Sequence, residues 1–570
     1  MGSIWRKPHD TQRTTFLKPR VFFARLIQPQ LVVVRLFRWI PVFGLVHKTE
    51  SQRREQQERR TRWQPLNLSA MNNMKQLFWG FCLMVCATSV WGQNEADVLR
   101  YGWIDPLASA RVTAMGGSFG ALGADLSCMG INPAGLGMYR RGDLSVSTGV
   151  HSSATTSQWG TRQVDAASAD FVGSNVGIAL TYPSVDADWP FFTLAIAHQN
   201  RMPFGQNIEL DEVASEHSVS ALFVDQALAD AAEYGYASTD EALQDGIIFP
   251  YSASLAWRTG LLLESISEGY ASAVDGNATF ARNIRREGRL AETQIAVGTS
   301  FRDRLSFGVT LGLPKVRFEE QSNHSESPVA PTSGLGLWRY DEQLTVTGRG
   351  TLLRFGVLAR VSNAMRLGLA YQTRGRLTLL DKYATTLSTE WLDGSNDVAN
   401  SPTLNAEYVM LTPDRLTVST SFLMGKLGVI NADYVRSDMR RGELRDSDGL
   451  LAVGYDFGPE NDAVQDAFQT VHQARVGLEI RLGQDDQLRL RTGGGMSTSP
   501  FSIDAVTADA NRYHVSVGGG FRISNVHFSA AWRTAWHAED YFFLGASSDA
   551  PSGQIEQRAS ALLLSAGLRM

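Results

Sequence analysis

Leu305-Ser306-Phe307-Gly308-Val309-Thr310-Leu311-Gly312-Leu313 sets five large apolar side chains on alternate positions, with only Ser, Gly, Thr and Gly between them. A period of two marks a strand whose faces meet different surroundings. The same pattern returns at Leu144, Val146, Thr148 and Val150, again over 366–372, and again over 475–482. In that last run Arg475, Glu479 and Arg481 share a face with Gly477, so that face must be wet. A soluble sandwich would hide its apolar face, whereas a membrane barrel turns it to lipid and lines its lumen with small and charged residues.

Turn signals support the barrel. They are short on one rim, as at Arg302-Asp303-Arg304, Ser362-Asn363, Gly483-Gln484-Asp485 and Ser524-Asn525, and long and polar on the other, over 319–334, 382–406, 442–466 and 538–557. That asymmetry is the outer-membrane pattern of periplasmic turns and extracellular loops. Strands are expected near 143, 171, 191, 292, 305, 343, 364, 405, 427, 470, 486, 511, 525 and 558, fourteen in all. An even number returns both ends to the same side. The expected fold is therefore all-β, an antiparallel transmembrane barrel over 143–570. Residues 210–275 interrupt the pattern with helical spacing over 218–233 and 240–265, and read as a partly helical extracellular loop. The last strand has Leu562, Leu564, Ala566, Leu568 and Met570 on one face, which resembles the terminal strand that barrel-assembly machinery recognises, with Met in place of the usual final aromatic.

Composition agrees. The 52 glycines, 10% aromatic and 19% charged residues, with a mean hydropathy of -0.15, are too polar for a helical bundle in lipid. No stretch of the barrel region offers about 20 consecutive apolar residues.

The first 70 residues are Arg-rich and differ from the rest. At Met71 and Met74 a new start follows: Lys75 gives a positive end, 77–87 an apolar core, and Val90-Trp91-Gly92 a small-residue cleavage site. Residues 71–92 thus read as a secretory signal, and 1–70 as an upstream extension outside the exported protein. The alternative reading of 1–70 is a basic N-terminal arm. From Gln93 the exported chain carries 38 Lys+Arg against 54 Asp+Glu, a balance that argues against a nucleic-acid partner. Two cysteines fall in the signal, leaving Cys128 without a disulfide partner and no cysteine metal cluster.

Between the signal and the first strand, 93–142 is dense in glycine, and glycine lets backbones approach closely. It carries Ala121-Leu122-Gly123-Ala124-Asp125 and then Ile131-Asn132-Pro133-Ala134-Gly135-Leu136-Gly137. Proline fixes its own φ and biases Asn132 away from helix, and the Asn side chain can satisfy backbone groups a plug would bury. An ordinary Asn-Pro turn is the plainer reading of those residues alone. Gly116-Gly117-Ser118-Phe119-Gly120 matches a nucleophile-elbow pattern without the strand, helix and acid/His partners the elbow needs, so no enzyme is expected.

The Asn-Pro-Ala-Gly core in its Gly-rich setting resembles the hatch of the FadL/TodX family of outer-membrane transporters, and the likeness extends over roughly 97–570. The resemblance implies a fourteen-stranded barrel plugged by an N-terminal hatch, carrying long-chain fatty acids or other hydrocarbons passively and without a cofactor. It makes Asn132, Pro133, Ala134 and Gly135 the hatch motif. Met115, Phe119, Leu122, Met129, Ile131 and Leu136 become candidates to touch a hydrophobic ligand, with plain packing against the wall as their other role. It also implies a sideways exit at a kinked third strand, here near 191–200, although no kink is visible in the text. The partners implied are hydrophobic small molecules, outer-membrane lipids and assembly machinery. Some barrels of this kind serve instead as anchors or shuttles for protein secretion, with the loops as working surface.

Overall fold

A computed structural model describes residues 95–104, 107–228, 236, 238–246, 248–265, 269–447, 455–483, 487–502, 510–541 and 553–570. The expected upstream extension and export signal lie outside the described residues, as do Gln484 and Asp485 of one turn.

The alternating segments pair in sequence order into one antiparallel sheet that closes on itself. Its fourteen crossings are β1 (Asp143–Trp159), β2 (Arg162–Pro183), β3 (Phe191–Pro203, continued by Gln206–Ser215), β4 (Ala278–Phe301), β5 (Leu305–Pro328), β6 (Leu335–Arg360) and β7 (Met365–Gln372, continued by Arg376–Trp391), then β8 (Leu404–Leu411, continued by Arg415–Leu423), β9 (Gly428–Asp438, continued by Glu443–Asp446), β10 (Thr470–Leu482), β11 (Leu488–Ser497), β12 (Arg512–Ile523), β13 (Val526–Tyr541) and β14 (Gly553–Arg569). Closure is made by β1 against β14, in register from Asp143 opposite Arg569 to Gln158 opposite Gln554. Every expected strand is present.

Leu305, Phe307, Val309, Leu311 and Leu313 point outward, while Ser306, Gly308, Thr310 and Gly312 point inward. Nine residues at about 3.3 Å each, tilted by about 40°, span roughly 23 Å, the height of an outer-membrane apolar band. Tyr371, Tyr434, Tyr513 and Trp536 are exposed on the outer face, where interfacial aromatics sit in such barrels.

Strands run well past that band. The stretch 319–334, expected as loop, is mostly strand, since β5 reaches Pro328 and β6 begins at Leu335. The rim opposite the short turns also holds one tight connection, between Trp159 and Arg162. The reason is physical: over 319–328 the inward Ser322, His324 and Glu326 are as polar as the outward Gln321 and Asn323, so the alternation fades while the ladder of backbone hydrogen bonds continues. The interruptions in β3, β7, β8 and β9 each move the inward set to the other parity, as an irregular insertion must. In β7, Gly368 and Ala370 face inward below the break, and Leu377 and Leu379 above it.

The insertion between β3 and β4 starts after Ser215 rather than at 210. It holds α3 (Ser220–Ala227), α4 (Thr239–Asp245) and α5 (Ala253–Arg258), then a hairpin of Leu262–Ser265 with Gly269–Ser272. The helix expected over 240–265 is thus cut in two near Pro250, which can neither donate its amide nor follow a helical residue without a clash. These pieces pack onto Trp159, Phe280, Trp338, Tyr340 and Leu387 of the wall. Tyr340 and Thr385 hydroxyls both donate to the Tyr251 carbonyl, at 2.7 and 2.8 Å, and Glu326 accepts from the Val219 amide at 2.9 Å. The insertion is therefore folded onto the inward side of the long-loop rim.

Candidate functional site: the plugged lumen

Residues 95–142 fold into α1 (Glu95–Gly102), α2 (Ala110–Ala114) and two short 3-10 turns, Leu126–Gly130 and Pro133–Met138. Their neighbours place them inside the ring. Going round the wall, Gln199 Nε2 donates to the Leu126 carbonyl at 3.1 Å, Ser421 Oγ to Ala121 at 3.2 Å, and Asp433 accepts from the Phe119 and Gly120 amides at 2.8 and 3.1 Å. Ser516 Oγ accepts from the Gly116 amide at 2.9 Å, and Ser565 Oγ from Ala110 at 2.8 Å. These partners sit on β3, β8, β9, β12 and β14, so the segment reaches across the whole lumen.

Asn132 ties this plug together. Its Oδ1 accepts from the Ala134 amide at 3.1 Å, which caps the following 3-10 turn, with Pro133 in the first position where its missing amide costs nothing. Its Nδ2 donates to the Gly120 carbonyl at 2.7 Å and to Val357 on β6 at 3.3 Å. One side chain thus joins two arms of the plug to the wall. Gly135 packs against Cys128 and Gly123, and the Gly135 carbonyl accepts from the Ala124 amide at 3.1 Å.

Where the plug presses hardest, the wall has no side chain. A Cβ on Gly298, Gly308, Gly356, Gly368, Gly477 or Gly493 would lie inside 3.0 Å of Leu136, Pro133, Asn132, Gly120 or Met115. Gly308, Gly368 and Gly477 of these belong to the alternating stretches quoted at the outset.

Met115, Phe119 and Leu122 form one buried cluster with Val112 and Val429, while Met129 and Leu136 join another with Ala179, Ala195 and Ala296. Of the six ligand candidates, Ile131 borders a luminal cavity, shared with Ile104, Leu107, Val435 and four arginines. Ser118 Oγ accepts from Asn431 Nδ2 at 2.7 Å, and His514 Nε2 is bonded to the Gly116 carbonyl at 3.0 Å.

The charged lumen is drier than the text suggested. Glu479 is fully buried, with Arg491 at 2.8 Å, Arg111 of the plug at 3.4 Å, and Arg481 and Arg489 at 3.7 Å. The face expected to be wet is wet in only part, because the plug and paired charges fill it. Glu292 similarly holds Arg354 in a two-pronged pair.

The third strand is broken. Pairing of β2 with β3 runs from Pro183 opposite Phe191 only to Asn175 opposite Gln199. Beyond it, β3 bulges between Asn200 and Met202, breaks at Phe204-Gly205, and resumes paired to β4 alone. The Phe204 amide donates to Gly288, which holds φ +109, and the ring turns inward onto Tyr101 and Phe318. The Asp170 carboxylate lies where a Cβ on Gly205 would point. Among the described residues no backbone ladder joins β2 to β3 over this stretch, although the Asn207 Nδ2 donates across it to the Ala167 carbonyl at 3.0 Å. The signal was available in Met202-Pro203-Phe204-Gly205, a proline and a glycine within one strand.

At the upper end of the plug, α1 and the residue after it fill the apolar middle of the lumen: Val98, Tyr101 and Trp103 pack with Phe318, Leu377, Tyr408 and, from α6 (Gly458–Ala467), Val464. Burial holds the Glu95 and Asp97 carboxyls above the ordinary carboxylate range, Asp97 despite its Arg100 partner, and raises Glu460 of α6 likewise. Acids raised on docking stabilise the docked helix below the ordinary range and cease to as pH climbs through the raised values. Amide exchange over 95–103, corrected for intrinsic rate, is therefore expected to be slowest at acid pH and to quicken as pH rises. Asp97→Asn should flatten that profile, and an unchanged profile would refute the assignment.

No family model matches the chain, and no curated relative matches it. Solved structures do. The toluene transporter TodX of P. putida is 13% identical, with 82% of this chain and 99% of that one covered and a TM-score of 0.47. A Pseudomonas aeruginosa FadL homologue is 11% identical, covering 82% and 99%, at 0.48. The Ralstonia pickettii toluene transporter TbuX is 15% identical, covering 81% and 98%, at 0.44.

Proposed function

We propose that this barrel is a passive outer-membrane conduit for hydrophobic compounds such as long-chain fatty acids or hydrocarbons, a channel of the FadL/TodX kind with 95–142 as its hatch. The observation that carries the reading is the missing ladder between 162–174 of β2 and the upper part of β3, beside a plugged lumen. A plug blocks straight passage of water and solutes, while a side opening lets an apolar molecule leave into lipid, where each Å² buried is worth about 25 cal/mol. Asn132 and Pro133 then act as the latch whose rearrangement admits the ligand, and the helical insertion shields the outer mouth.

Closing the gap tests this. Gly205 and Asp170 already touch, so Asp170→Cys with Gly205→Cys should form a bridge across it. Buried Cys128 does not compete. Uptake of radiolabelled oleate by cells carrying the oxidised double variant is expected to fall at least tenfold and to recover on adding dithiothreitol. Uptake that ignores the bridge would overturn the lateral route.

A further inference from the structure

A second cavity opens at the short-turn mouth of the barrel, among the strands that close the ring. Arg489 of β11, Arg522 of β12 and Arg569 of β14 line it from the wall, and Arg111 of α2 from the plug. Arg491 completes the set, its guanidinium lying where a Cβ on Gly520 would point. The two carboxylates that line the cavity face other donors. Asp125 accepts from the Ser109 hydroxyl and the Ser127 amide, each at 3.0 Å, and Asp143 from the Tyr139 hydroxyl at 3.3 Å. Glu479 behind them takes Arg491 at 2.8 Å and Arg111 at 3.4 Å, and reaches Arg489 only at 3.7 Å, where the buried Nε stays unbonded. Among the described residues, the Arg522 and Arg569 side chains make no ion pair and no hydrogen bond. Five guanidinium groups thus converge where a single carboxylate answers them.

Crowded cations with too few acids are costly unless an anion offsets them, and guanidinium forks match the oxygens of a phosphoryl group. The cavity holds about 50 Å³. A single water needs roughly 10–15 Å³, so one small tetrahedral oxyanion fits and an acyl tail does not. We infer that this cavity binds a phosphate ion or a small phosphomonoester entering from the short-turn mouth, held by Arg489, Arg522 and Arg569 of the wall and Arg111 of the plug. Because Arg111 lies on the plug and the other three on the wall, the bound anion ties one to the other. The inference stands apart from the transport reading: the anion fastens the plug, and the hydrophobic cargo is not its occupant.

The test titrates inorganic phosphate into the full purified barrel in a non-ionic detergent, at an ionic strength held constant with sodium chloride, and reads the heat. Saturable binding of one phosphate per chain is expected. Arg522→Gln should weaken it at least tenfold, Arg522→Lys, which keeps the charge, should lose less, and Arg415→Gln, which alters the other cavity, should leave it unchanged. Phosphate should also slow amide exchange over 110–125 in wild-type protein and fail to do so in Arg522→Gln, as a tie between plug and wall requires. No saturable heat with wild-type protein would overturn the inference and needs no variant to fold. An affinity unmoved in Arg522→Gln would overturn it too, and so would loss of binding in Arg415→Gln, which would move the anion to the other cavity. Glycerol 3-phosphate should displace the ion, whereas phosphatidylglycerol in the same detergent should not. Displacement by the lipid would overturn the free-ion reading in favour of a membrane headgroup. Uptake of oleate bears on the transport reading alone.

Discussion

Glu479→Ala is expected to cost the folded barrel about 3–5 kcal/mol, the usual penalty for removing one member of a buried ion pair. The carboxylate is completely buried and is the hub for Arg111, Arg481, Arg489 and Arg491. Without it four guanidinium groups crowd one another in a place water barely reaches. Arg111 belongs to the plug while the other three belong to β10 and β11, so the loss falls on the seam between plug and wall. Heating in detergent before electrophoresis should show the variant losing its compact, fast-migrating form at a clearly lower temperature than wild type. A double-mutant cycle with Arg111→Gln separates the seam from the wall. If Arg111 and Glu479 act as a unit, the two changes will fall short of additivity by 0.5–3 kcal/mol. Additive losses and an unaltered melting profile would each refute the hub.

The wall was readable because lipid and lumen impose opposite demands on successive residues, and Leu305 to Leu313 obey both without exception. Where only one demand remains the text grows dim. Above the lipid, Lys315 and Arg317 turn the pattern round against the inward Val316 and Phe318, and from Glu319 on Gln321 and Asn323 outward face Ser322 and His324 inward, so no alternation of hydropathy marks the end of a strand that nonetheless pairs fully with β4. The luminal cavity was harder still. Its four arginines come from β3, β6, β8 and β10, are separated by up to hundreds of residues, and meet only because the sheet closes. Each arginine by itself looks like any luminal cation. The apolar candidates of the plug were chosen for side-chain type, yet type cannot tell wall packing from ligand contact. Met115 and Phe119 lie in a packed cluster, and Ile131 reaches the cavity because its neighbour Asn132 is pinned to Gly120 and Val357.

Those pins point to the last prediction. Gly308 and Gly356 are adjacent across the β5–β6 ladder, and both lie directly beneath Pro133 and Asn132. At Gly308 the atoms in the way are the Pro133 carbonyl and the Ala134 amide, which are backbone and cannot rotate aside. Gly308→Val should therefore lift the Asn132 turn off the wall, breaking its bond to Val357. Overpacking of this kind costs about 1–3 kcal/mol. The cost falls on the plug, because the ladder itself needs no side chain, so the barrel should still assemble while its lumen opens. Single-channel conductance in planar bilayers is expected to rise at least severalfold, and cells should become sensitive to large antibiotics that the wild-type plug excludes. Gly519→Val serves as control, since its Cβ would meet only the Arg489 carbonyl at 3.7 Å. If Gly308→Val conducts no more than that control, the plug is not seated on these glycines, and the latch role given to Asn132 and Pro133 falls with it.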